Sequence, residues 1–272
     1  MRKEISAELN IGLNTVEPNL SATRSMQARI GRIGDSLYSD GVRFDEPEYK
    51  YPSEFLVNPL SVEQRKIVDS AIAIDYARDT VRLQDLIATV PIEESGEPFV
   101  FLPELFSKER VIVGFSDIPF HAACGEWAGK PKDFWTRSGV GEKLLKLGRA
   151  FNNEGLKIKF EDGFRPVGVQ EGLFKRRVEW TRTENPDWSW EQVLVEARSK
   201  TAVTPKLASH KAGAAVDMTL STLDGNSLDL GNKYPEGGAL VVLDCPYITQ
   251  EQWETRQIFA QSARMAGFAV YP

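Results

Sequence analysis

The chain has 272 residues, of which 42% are hydrophobic and 26% charged, so it can bury a full core as one large domain or as a domain with an extension. Lys and Arg number 33 against 39 Asp and Glu, a formal net charge of -6 that argues against nucleic acid as a partner. There is no apolar run long enough for a secretory signal or a membrane helix, so we expect a cytoplasmic protein without a membrane span.

The two cysteines give no sign of a metal knuckle or a disulfide framework. Cys124 and Cys245 lie far apart in the sequence, and neither belongs to a CxxC pair. We interpret both as buried thiols.

The first part of the chain is predicted to be irregular and then helical. Residues 1 to about 60 show little periodicity and contain several prolines. Ser61 and Gln64 then have the spacing of a capping box, and apolar residues at helical spacing predict one bent helix or two short ones to about residue 89. We place a domain boundary near residue 104, between an N-terminal extension and a domain over residues 105–272.

Helices and strands follow in mixed order beyond that boundary. Capping-box patterns at Ser189 and Thr249 predict the start of two helices. The other predictions are strands at residues 111–113, 156–160 and 215–220, helices at 144–151 and 169–178, a hairpin turn at 224–226, and a last strand opening at 268–271. Such an order predicts an α+β architecture with an antiparallel sheet.

The stretch from Ser209 to Leu220 carries the most distinctive chemistry. His210 and Asp217 lie seven residues apart, on a segment of small residues and the strand after it. A neutral imidazole and a carboxylate can supply two of the three protein ligands of a catalytic zinc, which keeps a fourth position for water. The third ligand must come from elsewhere. The plainer alternative is a surface histidine followed by a strand aspartate bonded to backbone.

Two further side chains lie in turns or loops before that stretch. In the turn at residues 162–166, Arg165 could hold the turn through a salt bridge with Asp162 or Glu161. We interpret Asp162 as a structural turn residue. His121 is the other histidine of the chain, so a His/Asp/His site made from this chain alone would need it, although a hydrogen-bonded structural role is favoured.

Residues 209–217 resemble the Ser-x-His-x-x-Gly-x-Ala-x-Asp signature of the zinc D-alanyl-D-alanine dipeptidases linked to vancomycin resistance. Here Ser209 adjoins His210 directly, and the small residue after Gly213 is shifted by register. Residues 162–166 look like that family's Asp-Gly-Tyr-Arg-Pro, and the segments at 218–231 and 266–268 match as well. The ordered set covers roughly residues 105–272.

The resemblance implies the zinc D-alanyl-D-alanine peptidase fold, which is hedgehog-like, with a central antiparallel sheet flanked by helices. It also implies a zinc held by His, Asp and a second His, a glutamate as general base, and an arginine that stabilises the transition state. Carried over, His210 and Asp217 would be zinc ligands, Arg165 the catalytic electrostatic stabiliser, and Ser209 a residue near the substrate.

Two positions depart from the family pattern. The family's general base and second histidine lie in a Glu-Trp-Trp-His motif after the terminal Gly-Phe strand, whereas this sequence ends at Pro272, and we expect a longer protein to continue into that motif. The family's aspartate for the substrate's free amino group falls at Pro235, which makes the adjacent Glu236 a candidate amine anchor, with a plain loop carboxylate as the alternative.

The function implied by the resemblance is zinc-dependent hydrolysis of a small D-alanyl-D-alanine-type dipeptide by a metal-activated water. One alternative is a degenerate, non-catalytic relative that binds a peptide or a metal. Another is a D,D-carboxypeptidase that acts on longer cell-wall peptides.

Overall fold

The computed structural model describes residues 13–14, 20–37, 55–91, 93–202, 207–235, 239–243 and 245–270. The chain forms two compact units, each assembled from segments that are not consecutive. The first unit comprises Met1–Ala71, Lys143–Ile158 and Thr219–Pro272, and the second comprises Ile72–Glu142 and Lys159–Met218. Neither unit begins or ends at residue 104, and the domain boundary placed there stays a prediction.

The described residues form α-helices and short strands in mixed order. The helices are α1 Leu20–Leu37, α2 Val62–Ala88, α3 Leu102–Lys108, α4 Ser138–Asn153, α5 Val167–Glu184, α6 Trp190–Lys200 and α7 Gln250–Met265. The strands are β1 Leu13–Asn14, β2 Phe55–Leu56, β3 Phe99–Phe101, β4 Gly114–Phe115, β5 Trp135–Arg137, β6 Leu156–Asp162 and β7 Asp217–Thr222. Short 3-10 helices occupy Ala122–Trp127, Ser209–Ala212 and Ala239–Val241. None of these helices is long and apolar enough to cross a membrane.

The strands form small sheets flanked by helices, so the fold is mixed α/β. β1 pairs with β2 and β3 with β5, both antiparallel, while β4, β6 and β7 form a three-stranded sheet in that order. The β4–β6 pair is parallel, with Gly114 opposite Lys159, which corrects the prediction of an antiparallel sheet for this pair. The chain between the two strands includes α4, and a long helical crossover returns the chain in its original direction.

Helix α1 corrects the prediction that residues 1 to about 60 are irregular. Met26, Ile30, Ile33 and Leu37 are buried and recur every three or four residues, which gives the helix one apolar face. Helix α1 packs against α7, and no side chain could be added at Gly34 without approaching Met265 Sδ to 3.1 Å. These four apolar residues lie among many polar ones, so their helical period is weak. The prolines elsewhere in residues 1–60 then favoured the prediction of an irregular segment.

All three predicted capping boxes are confirmed. The amide of Gln64 donates to Ser61 Oγ, and the amide of Ser61 donates back to the Gln64 side chain. The same reciprocal bonds begin α6 at Ser189 and α7 at Thr249. Helix α2, which follows Ser61, ends at Ala88, close to the predicted end at residue 89. The pattern is reliable here because each box satisfies backbone donors that no intrahelical bond reaches.

The strand predicted at residues 156–160 is confirmed as β6, in which Leu156, Ile158 and Phe160 are buried. The strand predicted at residues 111–113 is wrong, because the ladder begins at Gly114. The amide of Val111 instead donates to the Phe106 carbonyl and closes the end of α3. A backbone group used in this way cannot also join a sheet.

The end of the chain matches its predictions in part. The turn at residues 224–226 is confirmed: the Thr222 amide donates to the Asn226 carbonyl, and Ser221 forms an antiparallel bridge with Ser227. Gly225 adopts φ 101°, which explains the glycine in that turn. Of the last predicted strand, residues 268–270 are not extended into a ladder, and Tyr271 lies outside the described residues. Both cysteines are buried and free, as predicted.

Candidate functional site

Two backbone segments of the second unit meet where β6 ends. β6 ends at Asp162, and a turn leads from there into α5. The amide of Arg165 in this turn donates to the His210 carbonyl at 3.2 Å, which joins the turn to the 3-10 helix Ser209–Ala212. That 3-10 helix ends at Gly213, whose φ of 68° turns the chain toward β7. Arg165, His210 and Asp217, the first residue of β7, are therefore brought together.

The imidazole of His210 has a defined orientation. Its Nδ1 lies 2.8 Å from the Gly163 carbonyl oxygen, and because a carbonyl only accepts, Nδ1–H is the donor. Its Nε2 lies 3.4 Å from Oδ1 of Asp217. In the neutral ring Nε2 carries a lone pair, so two acceptor atoms face each other. A positive charge between them, either a second proton or a metal ion, would make this pairing favourable.

The second oxygen of Asp217 is held by Arg165. The guanidinium Nη2 lies 3.0 Å from Oδ2, and the Asp217 side chain is 37% exposed. Burial raises the pKa of Asp217, but contact with His210 and the positive charges of Arg165 and Lys132 outweigh burial and hold the pKa below its ordinary value. Asp217 is therefore ionised at neutral pH, as a metal ligand must be.

Arg165 is itself fixed by two other groups. Its Nε lies 3.1 Å from Oδ2 of Asp162, and its Nη1 donates to the Gln170 side chain at 3.4 Å. Gln170 is buried and donates in turn to the Ala202 carbonyl. The carboxylate of Asp162 also accepts from the Gly163 amide and lies 3.4 Å from Nζ of Lys132. Asp162, the last residue of β6, thus supports the turn that follows it and also orients Arg165.

Two aromatic rings and an arginine side chain contact the segment around the 3-10 helix that carries His210. The Nε of Arg137 donates to the Ala212 carbonyl, and the Arg137 amide donates to the Gly213 carbonyl, both at 2.9 Å. The Phe99 ring packs against Phe164 at 5.2 Å, and a Cβ added at Gly213 would lie 2.3 Å from Phe99 Cε1. Gly213 is therefore required both for its φ and for this close contact.

His121 occupies a separate loop of the second unit. Its Nδ1 accepts from the Ala123 amide at 3.1 Å. Burial lowers the pKa of His121, and the charges of Lys132, Arg176, Arg177 and Arg165 lower it further. Among the residues that the structure describes, no group of three or more His, Cys, Asp or Glu side chains could hold a metal, so His121 does not join His210 and Asp217 as a third ligand there.

Of the other predicted site residues, Ser209 is exposed beside His210, and its amide donates to the Leu207 carbonyl. Glu236 lies outside the described residues. Neither the carbonyl of Gly163 nor the side chain of Lys132 was predicted to take part. The contact between Arg165 and Gln170 was not predicted either. Its one signal in the sequence is that Gln170 follows Arg165 by five residues, at the start of a predicted helix.

The His210 and Asp217 pair fits two positions of a zinc site. In tetrahedral coordination with bonds of about 2.0–2.2 Å, two ligand atoms lie roughly 3.3–3.5 Å apart. The observed separation of Nε2 and Oδ1 is 3.4 Å, too long for a strong hydrogen bond. The bond from Nδ1–H to the Gly163 carbonyl is the usual support of a metal-ligating histidine.

In comparisons with known proteins, no family model and no curated protein matches this chain.

Proposed function

We propose that this chain is a zinc-dependent peptidase that hydrolyses a peptide bond of the D-alanyl-D-alanine type. His210 and Asp217 would hold the metal, and Arg165 would stabilise the negative charge of the transition state. The observation that carries the proposal is the 3.4 Å approach of Nε2 of His210 to Oδ1 of Asp217, with each side chain anchored on its other side. The dipeptide is the substrate that the sequence resemblance implies, and the same arrangement would serve a longer peptide with the same end.

Each of the three side chains has a role that follows from its contacts. The Gly163 carbonyl keeps the proton of His210 on Nδ1, which leaves Nε2 free to bind a metal. His210 and, to a smaller extent, Arg165 favour the ionised form of Asp217, and Arg165 presents a positive charge 3.0 Å from that carboxylate that would stabilise a developing oxyanion. A bound zinc would lower the pKa of its water toward about 7 and polarise the scissile carbonyl. The third ligand and the general base are assigned to no described residue.

Zinc content and alanine release from the purified chain test this proposal together. We expect one zinc per chain by mass spectrometry of metals, and loss of that zinc in both His210→Ala and Asp217→Ala. Asp224→Ala, in the hairpin turn of the first unit, is the matched control and should keep the metal. If the chain binds no zinc and releases no alanine from D-alanyl-D-alanine, the proposal is wrong. Unchanged activity of His210→Ala would overturn the site assignment.

Binding without hydrolysis is the second candidate function. It is favoured by the surroundings of Asp217, in which Nε2 of His210 lies 3.4 Å from one carboxylate oxygen and Arg165 contacts the other. Such a network could bind a peptide carboxylate at Arg165 by exchange of partners, with no chemistry. A chain that binds zinc and D-alanyl-D-alanine but releases no alanine would have this function.

A further inference from the structure

A groove of about 440 Å³ lies between α2 and α6, within the second unit. Its lining comprises Arg78, Val81, Arg82, Asp85 and Leu86 of α2 and Val195 of α6. The members on α2 are three or four residues apart, so they form one stripe along the helix. A different stripe of α2, which includes Ala77, Thr80 and Gln84, is buried. The groove therefore lies beside the packed face of α2 and is open to a partner.

Polar contacts fix the two walls of the groove to each other. The side-chain amide of Gln84 donates to the Arg198 carbonyl at 2.9 Å, and Nη2 of Arg198 lies 2.6 Å from Oδ1 of Asp85. Gln84 is buried, so its bond is shielded from water. The groove is therefore built by the fold itself and does not need a partner to form it.

The floor of the groove is aliphatic and partly exposed. Val81 and Val195 are half-buried, and Leu86 is 60% exposed. Ile87 and Val90, which follow at the end of α2, are exposed as well. Covering such side chains removes apolar surface from water, and adjacent exposed apolar residues mark interaction sites.

The charges of the lining favour an acidic partner. Asp85 is compensated by its ion pair with Arg198. Arg78 and Arg82 are exposed, and within the part of the chain that the structure describes neither lies at ion-pair distance from a carboxylate. Asp79, the nearest other acid on this turn of α2, is not part of the lining. Because the whole chain has a formal net charge of -6, attraction of a carboxylate here depends on these two arginines.

The backbone of the groove restricts the secondary structure of its occupant. Every lining residue lies inside a helix, where its amide donates along that helix. The Leu86 carbonyl accepts from the amide and the hydroxyl of Thr89. An extended strand would find no amide donors here, whereas a helix satisfies its own backbone. The stripe from Arg78 to Leu86 is about 12 Å long at 1.5 Å per residue, which corresponds to about two turns of such a helix.

We propose that this groove binds an amphipathic α-helix of a partner protein that has an apolar face flanked by carboxylates. The apolar face contacts Val81, Leu86 and Val195, and the carboxylates pair with Arg78 and Arg82. The channel between two helices accepts the ridge of side chains on a third. The inference is independent of the proposed function, because the lining contains no residue of the candidate site.

Calorimetric titration of the full chain with three designed helical peptides tests the groove directly. The first peptide is acetyl-(Leu-Glu-Ala-Leu-Leu-Ala-Glu)2-amide, in which glutamates flank a leucine face. Its two counterparts carry glutamine or lysine in place of every glutamate. Two exposed ion pairs are worth up to about tenfold in affinity, so we expect the acidic peptide to bind about tenfold more tightly than the glutamine peptide. The lysine peptide should bind most weakly.

Charge reversal separates a direct contact from a loss of folding. Arg78→Glu with Arg82→Glu should reverse the order of affinities, so that the lysine peptide binds best. An unfolded chain cannot show such a gain. Lys175→Glu with Arg176→Glu makes the same change in net charge on exposed positions of α5 and should keep the original order.

A second pair of variants tests the apolar floor. Leu86→Gln should weaken all three peptides by about tenfold, because it removes aliphatic contact area without changing the net charge. Ile67→Gln is the matched control, since Ile67 is an exposed aliphatic residue of α2 outside the lining. This variant should change none of the three affinities.

Several outcomes would overturn the inference. These include equal affinity for the acidic and glutamine peptides, or an order that survives the reversal of Arg78 and Arg82. Self-association of the chain that Leu86→Gln abolishes, measured by sedimentation, would assign the groove to a second copy and refute a partner helix. Binding to phosphatidylcholine and phosphatidylserine vesicles that Leu86→Gln abolishes would refute it in favour of a membrane surface. Zinc content and alanine release decide the proposed function separately in every case.

Discussion

Oδ2 of Asp162 lies 3.1 Å from Nε of Arg165, with 6% and 16% of the two side chains exposed. The same oxygen lies 3.4 Å from Nζ of Lys132, whose side chain is 7% exposed. One carboxylate oxygen therefore contacts two cations that are largely removed from water. The orientation of Arg165 at the candidate site depends on this contact.

Asp162→Asn should destabilise the protein and weaken its activity. The amide can still accept from the Gly163 amide, but it leaves Lys132 buried without an opposite charge at that contact, at a cost of about 3–5 kcal/mol in the free energy of unfolding. Urea denaturation measures this cost. Lys132→Met in the Asp162→Asn background should recover much of the loss, and simple additivity of the two changes would contradict the expected coupling.

Gly213→Ala should be costly for two separable reasons. The φ of 68° is unfavourable for alanine by about 1–2 kcal/mol, and the added Cβ would lie 2.3 Å from Phe99. Gly155→Ala is the matched control, because Gly155 has φ 74° but nothing within 4 Å of its Cβ position. We expect the larger loss of thermal stability in Gly213→Ala. Equal losses in the two variants would show that the Phe99 ring can move away from the added methyl group at little cost.

Local signals in the sequence predicted much of the fold. The reciprocal bonds of a capping box involve residues three apart, so Ser61, Ser189 and Thr249 carried enough information to place three helix starts. The alternation in β6 was equally readable because its period is local. The parallel pairing of β4 with β6 was not predicted, since it depends on the path of more than thirty intervening residues and not on the strand's own pattern.

At the candidate site, too, features with a local sequence signal were predicted and long-range contacts were not. His210 and Asp217 were predicted from residue type and spacing, and Arg165 from the family resemblance; the structure brings the three together. The support of His210 by the Gly163 carbonyl, and of the loop by Arg137, was missed because a backbone acceptor or a distant arginine has no sequence signature. Phe99 was assigned to a separate N-terminal extension, yet it contacts the loop at Gly213.

Thr249→Ala should lower the free energy of unfolding by about 1 kcal/mol. The variant removes the hydroxyl that accepts from the Gln252 amide and leaves that amide without its cap. Thr249→Ser restores a hydroxyl and should recover most of the loss, as measured by the midpoint of urea unfolding. A Thr249→Ala variant as stable as the parent chain would show that α7 gains nothing from this cap.

His121 should titrate below its ordinary pKa of 6.5, because burial and the charges of Lys132, Arg176, Arg177 and Arg165 all disfavour the imidazolium. Since the folded pKa is depressed, the stabilising contribution is complete above pH 6.5 and is lost as the pH falls through the folded pKa. The ring proton shifts of the two histidines in an NMR titration give this value, with His210→Asn for assignment. Arg176→Glu should raise the midpoint, and an unchanged midpoint would contradict the electrostatic contribution.

The interleaved order of segments sets a limit on how this protein can be dissected. A fragment of residues 72–218 would contain every described residue of the candidate site but also residues 143–158, which belong to the first unit. In that fragment Leu144, Leu147 and Phe151, all fully buried in the intact chain, would lose the rest of that unit, including the ring of Phe259 that packs on Phe151. The exposed apolar helix would favour aggregation over folding. A minimal version would instead need residues 143–158 redesigned with a polar outer face, or the first unit supplied as a second polypeptide for reassembly.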